Sequence, residues 1–212
     1  MKLFVFDTET TGLPKKNANM LDNLEGWPYI VQLSFMIYDT EENKLLYVYD
    51  RIIKIPSTVI ISKESEDIHH INRELCDEKG VDIKDALTIF DSKLKECDIK
   101  IGHNISFDEK MITVEKLRLN QDADNSIALA EDKLSFCTMK NGLDICELTK
   151  KYSNGRVYPK YPKLSELHFK LFGELPLNCH NSLYDINITL RCYLFMEHKY
   201  LYDIQVSDMT IN

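Results

Sequence analysis

The chain has 212 residues, of which 44% are hydrophobic, and a net charge of −8; this length predicts one α/β domain, residues 1–212, with no second domain. Its six scattered cysteines form no C-x-x-C pair, which argues against a disulfide framework or a zinc site. Because no signal peptide is recognisable and no apolar run approaches the roughly 18 residues that span a bilayer, the sequence predicts a soluble cytoplasmic protein.

The first part of the chain predicts a β-meander. Strand-like segments lie at residues 2–7, 30–38 and 44–53. The polar segment at residues 15–26 follows neither the helical nor the strand period. We expect it to form a loop that borders a functional site.

The rest of the chain predicts mostly helices. Helical patterns cover residues 62–68, 73–78, 83–96, 163–172 and 182–198, and two short strands are expected at residues 99–102 and 134–138. Ser106-Phe107-Asp108-Glu109 is typical of a capping box, and it predicts a further helix that continues through Leu119. The sequence contains no internal repeat, low-complexity tract or linker.

Two acidic residues follow an apolar run near the N-terminus. Residues 3–6 predict a buried strand, and Asp7 and Glu9 come directly after it. Since residues two apart in a strand point to the same side, both carboxylates are expected to face one ion. Carboxylate oxygens are the ligands that Mg²⁺ or Mn²⁺ prefers, and two such ions about 4 Å apart can bind the attacking and leaving oxygens of a phosphodiester.

Two later motifs add three more candidate residues. Residues 103–108 end in Asp108, and residues 180–185 begin with His180 and end with Asp185. Each acid also has a structural interpretation: Asp108 lies in the first turn of its helix, where a negative charge gains about 0.3–1 kcal/mol from the dipole, and Asp185 completes a capping-box pattern. Taken together, the three motifs predict a two-metal nuclease site of four carboxylates and one histidine.

This ordered set resembles the DEDDh branch of the DnaQ-like 3′-5′ exonuclease family over roughly residues 3–196. The family's D-x-E, its second aspartate and its H-x-x-x-x-D match Asp7 with Glu9, Asp108, and His180 with Asp185. Flanking segments agree at residues 11–14, 27–28, 163–167 and 171–173. The resemblance implies a ribonuclease H-like fold, in which helices flank a mixed central sheet, and a role such as DNA repair or proofreading.

The resemblance also implies a mechanism with two divalent cations, Mg²⁺ or Mn²⁺. Asp7, Glu9 and Asp185 would hold the first ion, and Asp7 would be shared with the second. Asp108 would hold the arrangement directly or through water. His180 would be the general base, since a histidine titrates near pH 6.5 and can accept a proton from the attacking water. The product would be a nucleoside 5′-monophosphate.

Further residues are implied to bind the substrate. By resemblance, the backbone amides around Thr10 would contact the terminal 3′-hydroxyl, while Leu13 and Ile71 would stack on the two sides of the terminal base. The alternative for both apolar residues is ordinary core packing. Asn104 and Phe107 are expected to line the same groove. Stacking on apolar surfaces tolerates any sequence, which suits an exonuclease.

The implied partner is a nucleic acid with a free 3′ end, and a polymerase or repair partner is left open. The net charge of −8 argues against a wide grip on nucleic acid. Residues 150–163 are locally basic, and they are interpreted either as a track for the strand's backbone or as a solvated loop. Heavy use of isoleucine, lysine, asparagine and tyrosine is typical of an AT-rich genome, viral or bacterial.

Two other functions match parts of the sequence. The segment at residues 6–12 is similar to the D-x-D-x-T pattern of aspartyl phosphatases, but Glu9 departs from it and such enzymes do not use H-x-x-x-x-D. The non-enzymatic alternative is a catalytically weak nucleic-acid-binding or polymerase-associated proofreading module on the same fold. A lost carboxylate would indicate that module, and all four are present.

Overall fold

A five-stranded sheet forms the centre of the computed structural model, which describes residues 1–20, 23–120, 133–177, 179–202 and 205–209. Its strands are β1 (Lys2–Thr10), β2 (Ile30–Asp39), β3 (Lys44–Ile52), β4 (Ile99–Gly102) and β5 (Ser135–Cys137), and their order is β3-β2-β1-β4-β5. The β1, β2 and β3 strands are antiparallel, whereas β4 is parallel to both β1 and β5. The sheet is therefore mixed, as the ribonuclease H-like fold implies.

Helices pack on both sides of this sheet. They are α1 (Lys63–His69), α2 (Arg73–Lys79), α3 (Ile83–Lys95), α4 (Ile105–Asn120), α5 (Thr138–Asn141), α6 (Leu143–Cys146), α7 (Leu164–Phe172) and α8 (Ser182–His198), with short 3-10 helices at Leu24–Gly26 and Val206–Asp208. A separate hairpin pairs β6 (Thr149–Lys151) with β7 (Val157–Pro159). Within the described parts of the chain, no helix has both the length and the hydropathy to span a bilayer.

Strand β1 is buried on both faces because its apolar residues alternate between two cores. Phe4 and Phe6 pack with α3 and α4, where Phe90 meets both rings edge-on. Leu3 and Val5 pack on the opposite face with α8. This alternation decides which helix each polar residue at the end of β1 will face.

The predicted elements are largely confirmed, whereas α5, α6 and the β6–β7 hairpin were not predicted. Three of the predicted elements differ in detail. Strand β1 continues to Thr10, so the acidic pair lies within the strand instead of after it. Helix α4 begins at Ile105, one residue before the predicted cap Ser106. The predicted loop at residues 15–26 contains a 3-10 turn, and its residues 21 and 22 lie outside the described part of the chain.

Candidate active site

Three carboxylates meet where β1 passes the N-terminal end of α8. One oxygen each of Asp7, Glu9 and Asp185 lies within 4.8 Å of the others. Asp7 and Glu9 continue the face of β1 that carries Leu3 and Val5, which packs on α8, and Asp185 lies in the first turn of that helix. The structure thus brings the two acids of the D-x-E pair together with Asp185.

Asp108 approaches from the opposite face of β1. Thr8 continues the face of Phe4 and Phe6, which packs on α4. Its backbone N–H and its hydroxyl both donate to Oδ1 of Asp108, at 3.1 Å and 2.7 Å. Asp108 is buried and lies outside the group of three, although its charge acts on both Asp7 and Glu9.

Burial and mutual repulsion make these carboxylates hard to ionise. Burial, followed by the charges of Asp108, Asp185 and Glu9, raises the pKa of Asp7 well above its usual range. Burial, followed by the charges of Asp185 and Asp108, raises the pKa of Glu9 to about 8. Burial raises the pKa of Asp108 to about 7 despite the opposing bonds from Thr8, and that of Asp185 to about 7. A bound cation would relieve this repulsion.

The donor set fits hard divalent cations. All three grouped ligands are carboxylate oxygens, which suit Mg²⁺ or Mn²⁺ and not softer metals. The Oδ1 atom of Asp185 is buried without a hydrogen-bond partner. A buried carboxylate oxygen without a donor is costly unless an ion or water satisfies it. The residues therefore fit a divalent metal, with Asp185 Oδ1 as a free ligand atom.

His180 lies at the edge of this group on the segment that leads into α8. Its side chain is exposed, and its backbone adopts a left-handed conformation with φ of 71°. Its backbone N–H donates to Oδ2 of Asp185 at 3.1 Å. The two ends of the H-x-x-x-x-D motif are thus joined through the main chain, while the imidazole remains open to solvent.

A buried polar network, which no motif in the sequence indicates, fixes the start of α8 against β2. Gln32 and Ser34 pair with Glu9 and Asp7 across the sheet. The side chains of Gln32 and Ser34 both donate to Asp50 Oδ1, at 2.8 Å and 2.7 Å. The backbone N–H of Ser182 donates to Gln32 Oε1, and the hydroxyls of Ser182 and Ser34 form a hydrogen bond. This network positions Asp185 relative to β1.

A groove of about 470 Å³ opens beside Glu9, lined in part by Leu13, Ile68 and Phe107. Leu13 is 83% exposed and Ile68 is 49% exposed, so both apolar side chains are available to a ligand. Thr10 also lines the groove, and its hydroxyl donates to the carbonyl of Gly12 at 2.8 Å. Asn104 is half-buried in a left-handed turn just before α4.

The structure corrects the prediction for Ile71. Its side chain is 3% exposed and packs in a core cluster with Val31 and Ile55, so it does not line the groove. The reason is a left-handed turn at His70 that ends α1 and sends the next residue inward. Ile68, one helical turn before it, occupies the groove wall instead.

His69 has a structural role at the same groove. Its Nε2 lies 3.1 Å from the carbonyl oxygen of Thr10, and its Nδ1 accepts the backbone N–H of Ile71 at 3.0 Å. Because a carbonyl can only accept, Nε2 donates and the ring is neutral. Burial lowers the pKa of His69, which keeps the ring neutral, and the two hydrogen bonds fix its tautomer. The ring joins the end of β1 to the end of α1.

Comparison with known proteins identifies the family. The family model RNase_T, described as Exonuclease, matches residues 4–193. A comparison with curated protein sequences gives no match.

Solved structures of exonucleases share the fold. Escherichia coli exonuclease I with a dT13 oligonucleotide matches with a TM-score of 0.64 and 14% identity, over 93% of this chain and 42% of that one. Exonuclease I from Methylocaldum szegediense matches with a TM-score of 0.61 and 14% identity, over 93% and 41%. A full-length 3′-exonuclease matches with a TM-score of 0.62 and 13% identity, over 93% and 60%. The chain thus spans less than two thirds of each of these proteins. Its match to the family model, together with its three motifs, shows that it belongs to the DEDD-type 3′-5′ exonuclease family.

Proposed function

We propose that this chain hydrolyses the terminal phosphodiester at the 3′ end of single-stranded DNA or RNA and releases a nucleoside 5′-monophosphate. The observation that carries the proposal is the meeting of Asp7, Glu9 and Asp185 within 4.8 Å beside a groove with exposed apolar walls. The oxygen ligands support two divalent cations, Mg²⁺ or Mn²⁺, as cofactors.

Each residue of the site has a proposed role. Asp7, Glu9 and Asp185 would hold the cations, Asp7 would serve both of them, and Asp108 would support the arrangement directly or through water. When bound, the cations supply positive charge for the attacking and leaving oxygens. His180 acts as the general base that takes a proton from the attacking water. Its exposed position at the end of a loop supports a swing toward the substrate.

The groove would select the end of the strand. Leu13 and Ile68 would enclose the terminal base, with Phe107 and Asn104 at the groove's border. The backbone around Thr10 would contact the terminal 3′-hydroxyl. Apolar contact with a base does not depend on its identity, so the enzyme would remove any nucleotide in turn.

The solved structures support a single strand as the substrate. Exonuclease I of Escherichia coli has been crystallised with dT13 and with dA16 oligonucleotides. The present chain matches less than half of that protein, so the similarity alone does not assign the substrate. The same class of substrate is proposed here because the candidate site supports it. A polymerase or repair partner and a cytoplasmic location remain predictions from the sequence.

Matched DNA and RNA strands, labelled at either the 3′ or the 5′ end, test the proposal directly. With Mg²⁺ or Mn²⁺, a 3′ label should be released at once as a mononucleotide, whereas a 5′-labelled strand should shorten stepwise. A 3′-phosphate should slow the reaction sharply, and a circular strand should resist it. Cleavage of the circle at a comparable rate would indicate an endonuclease, and activity in excess chelator would refute the role of the metal.

A further inference from the structure

The β6–β7 hairpin has a charge opposite to that of the chain as a whole. Residues 149–163 contain five lysines and arginines and no aspartate or glutamate, in a chain with a net charge of −8. Both strands of the hairpin are largely exposed. A basic, exposed segment on an acidic protein is suited to an anionic partner.

The register of the hairpin sorts its side chains onto two faces. Lys150 pairs with Tyr158. Closer to the turn, the backbone N–H of Tyr152 donates to the carbonyl of Arg156, and this hydrogen bond is 2.8 Å long. Since residues two apart share a face, these four side chains lie on one face, which we call the tyrosine face. Lys151 belongs to the opposite face.

The tyrosine face combines aromatic surface with positive charge. The rings of Tyr152 and Tyr158 stack with centroids 4.1 Å apart and an angle of 27° between their planes. Tyr152 nevertheless remains 55% exposed. Cations beside an accessible aromatic ring form the combination that binds single-stranded nucleic acid, in which phosphates and unpaired bases are both available.

The base of the hairpin is attached to the candidate active site. The carbonyl of Pro162, three residues after β7, accepts a hydrogen bond from Nε2 of His103 at 3.1 Å. The other ring nitrogen of His103 lies 3.0 Å from the hydroxyl of Thr138. His103 directly follows β4 and lies just before α4, whose first turn carries Asp108. The hairpin therefore starts from the end of the sheet where the carboxylates lie.

Building on the proposed function, we infer that the tyrosine face holds the strand upstream of its 3′ end while the carboxylates act on the terminal nucleotide. Lys150 and Arg156 contact phosphates, and Tyr152 stacks on a base. This surface provides affinity for longer strands that the acidic site alone does not supply.

Binding measured without hydrolysis tests this inference separately from the proposed function. Fluorescence anisotropy in excess chelator would compare an oligothymidylate of about 20 nucleotides with one of about 3, shorter than the roughly 4–16 nucleotides that a single-strand site usually covers. Lys150→Gln with Arg156→Gln, and separately Tyr152→Ala, should each weaken binding of the longer strand by at least about 10-fold. For the double variant the salt slope should fall by roughly 1–1.5, as expected for two lost phosphate contacts.

The matched control is Lys44→Gln with Lys95→Gln, which removes two exposed charges at the far end of the sheet and should change neither quantity. Hydrolysis of the shortest strand with Mn²⁺ should stay within about 2-fold of wild type in the hairpin variants. Unchanged binding of the longer strand, an equal loss in the control, or a preference for anionic lipid vesicles over the oligonucleotide would overturn the inference. Failure of the wild type to hydrolyse any strand would instead overturn the proposed function.

Discussion

At the scale of single residues, the candidate site is a cluster of negative charges that the fold holds together at a cost. Asp7, Glu9 and Asp185 lie within 4.8 Å of one another, and burial raises the pKa of each one. Such clustering opposes folding when the groups ionise without a counter-charge. Such an arrangement is expected in a protein that binds a cation at this point, because the cation offsets the repulsion.

Asp7→Asn should abolish hydrolysis and raise the melting temperature in chelator. The variant keeps the shape of the side chain but removes the charge that Glu9, Asp108 and Asp185 repel. Activity assays and thermal unfolding check the two effects together. Asp67→Asn is the matched control, because Asp67 is an exposed carboxylate paired with Lys63; this variant should keep activity and gain no stability.

His180→Ala should keep metal and strand binding but lose about 10²–10⁴-fold in turnover, the usual contribution of a positioned proton acceptor. Steady-state kinetics measure the turnover, and titrations with metal and with an oligonucleotide measure the two affinities. His70→Ala is a control for backbone effects, since His70 is also exposed and left-handed, with φ of 60°. Near-normal turnover in His180→Ala, or loss of metal binding, would contradict the assigned role.

Leu13→Ala and Ile68→Ala should raise KM for an oligonucleotide about 10-fold, equivalent to roughly 1.4 kcal/mol, with little effect on stability, because both side chains are exposed in the groove. Ile71→Ala should behave oppositely. Its buried side chain predicts a loss of about 2–5 kcal/mol in the free energy of unfolding and a nearly unchanged KM. Steady-state kinetics and denaturant titrations would separate the two classes, and a large KM effect confined to Ile71→Ala would restore the original prediction.

At the scale of elements, helix α4 connects the candidate site to the segment that precedes β2. The guanidinium of Arg118 donates to the carbonyls of Leu24, Trp27 and Pro28, and to Glu115 at 2.9 Å. Glu115, which is buried, also accepts the backbone N–H of Ile30. The same helix that presents Asp108 at its first turn thus fixes the segment before β2 from its last turn.

Arg118→Met should lower the free energy of unfolding by about 3–5 kcal/mol, because it leaves the buried Glu115 without its counter-charge. Denaturant unfolding at neutral pH measures the loss. Adding Glu115→Gln should recover part of it. Lys63→Met, which breaks the exposed Lys63–Asp67 pair, should cost no more than about 1 kcal/mol, and an equal cost in both single variants would contradict the buried-pair explanation.

At the scale of the whole molecule, the stability of the metal-free protein should fall as pH rises. The folded-state pKa values of Glu9, Asp108 and Asp185 are about 8, 7 and 7, against ordinary values of 4.5 for glutamate and 3.8 for aspartate. Between these limits the folded chain holds protons that the unfolded chain has released, so stability is present at low pH and is lost up to about pH 8.

Thermal unfolding in chelator across this pH range would show the decline, and Mn²⁺ should restore stability at the upper end. Asp7→Asn with Glu9→Gln should flatten the dependence. A flat profile for the metal-free wild type would show that the carboxylates are not as crowded as their positions indicate.

The parts of the site that could be predicted are those fixed by a local period. Asp7 and Glu9 share a face because strands alternate, and the predicted bounds of α8 are confirmed at Ser182 and His198. The bonds from Thr8 to Asp108 and the network from Gln32 to Ser182 link residues 100 and 150 positions apart. No local pattern encodes such links.

Short elements were the other source of error. Ile68 and Ile71 are both apolar and close to the end of a seven-residue helix, and only the turn at His70 decides which one faces the groove. The β6–β7 hairpin was missed as a hairpin because each strand has three residues, too few to show a period of two.

The two oxygens of Asp185 have different surroundings, and this makes the carboxylate a thermodynamic link. One oxygen accepts the main-chain N–H of His180, while the other is buried and left for an ion. A cation bound to the second oxygen would change the energy of the hydrogen bond between the first oxygen and His180. Linkage requires this hydrogen bond to change the affinity for the cation by the same amount. Loading of the proposed metal and ordering of the segment that carries His180, the proposed general base, would therefore be coupled through a single side chain, so we expect the base to be assembled in response to the cation.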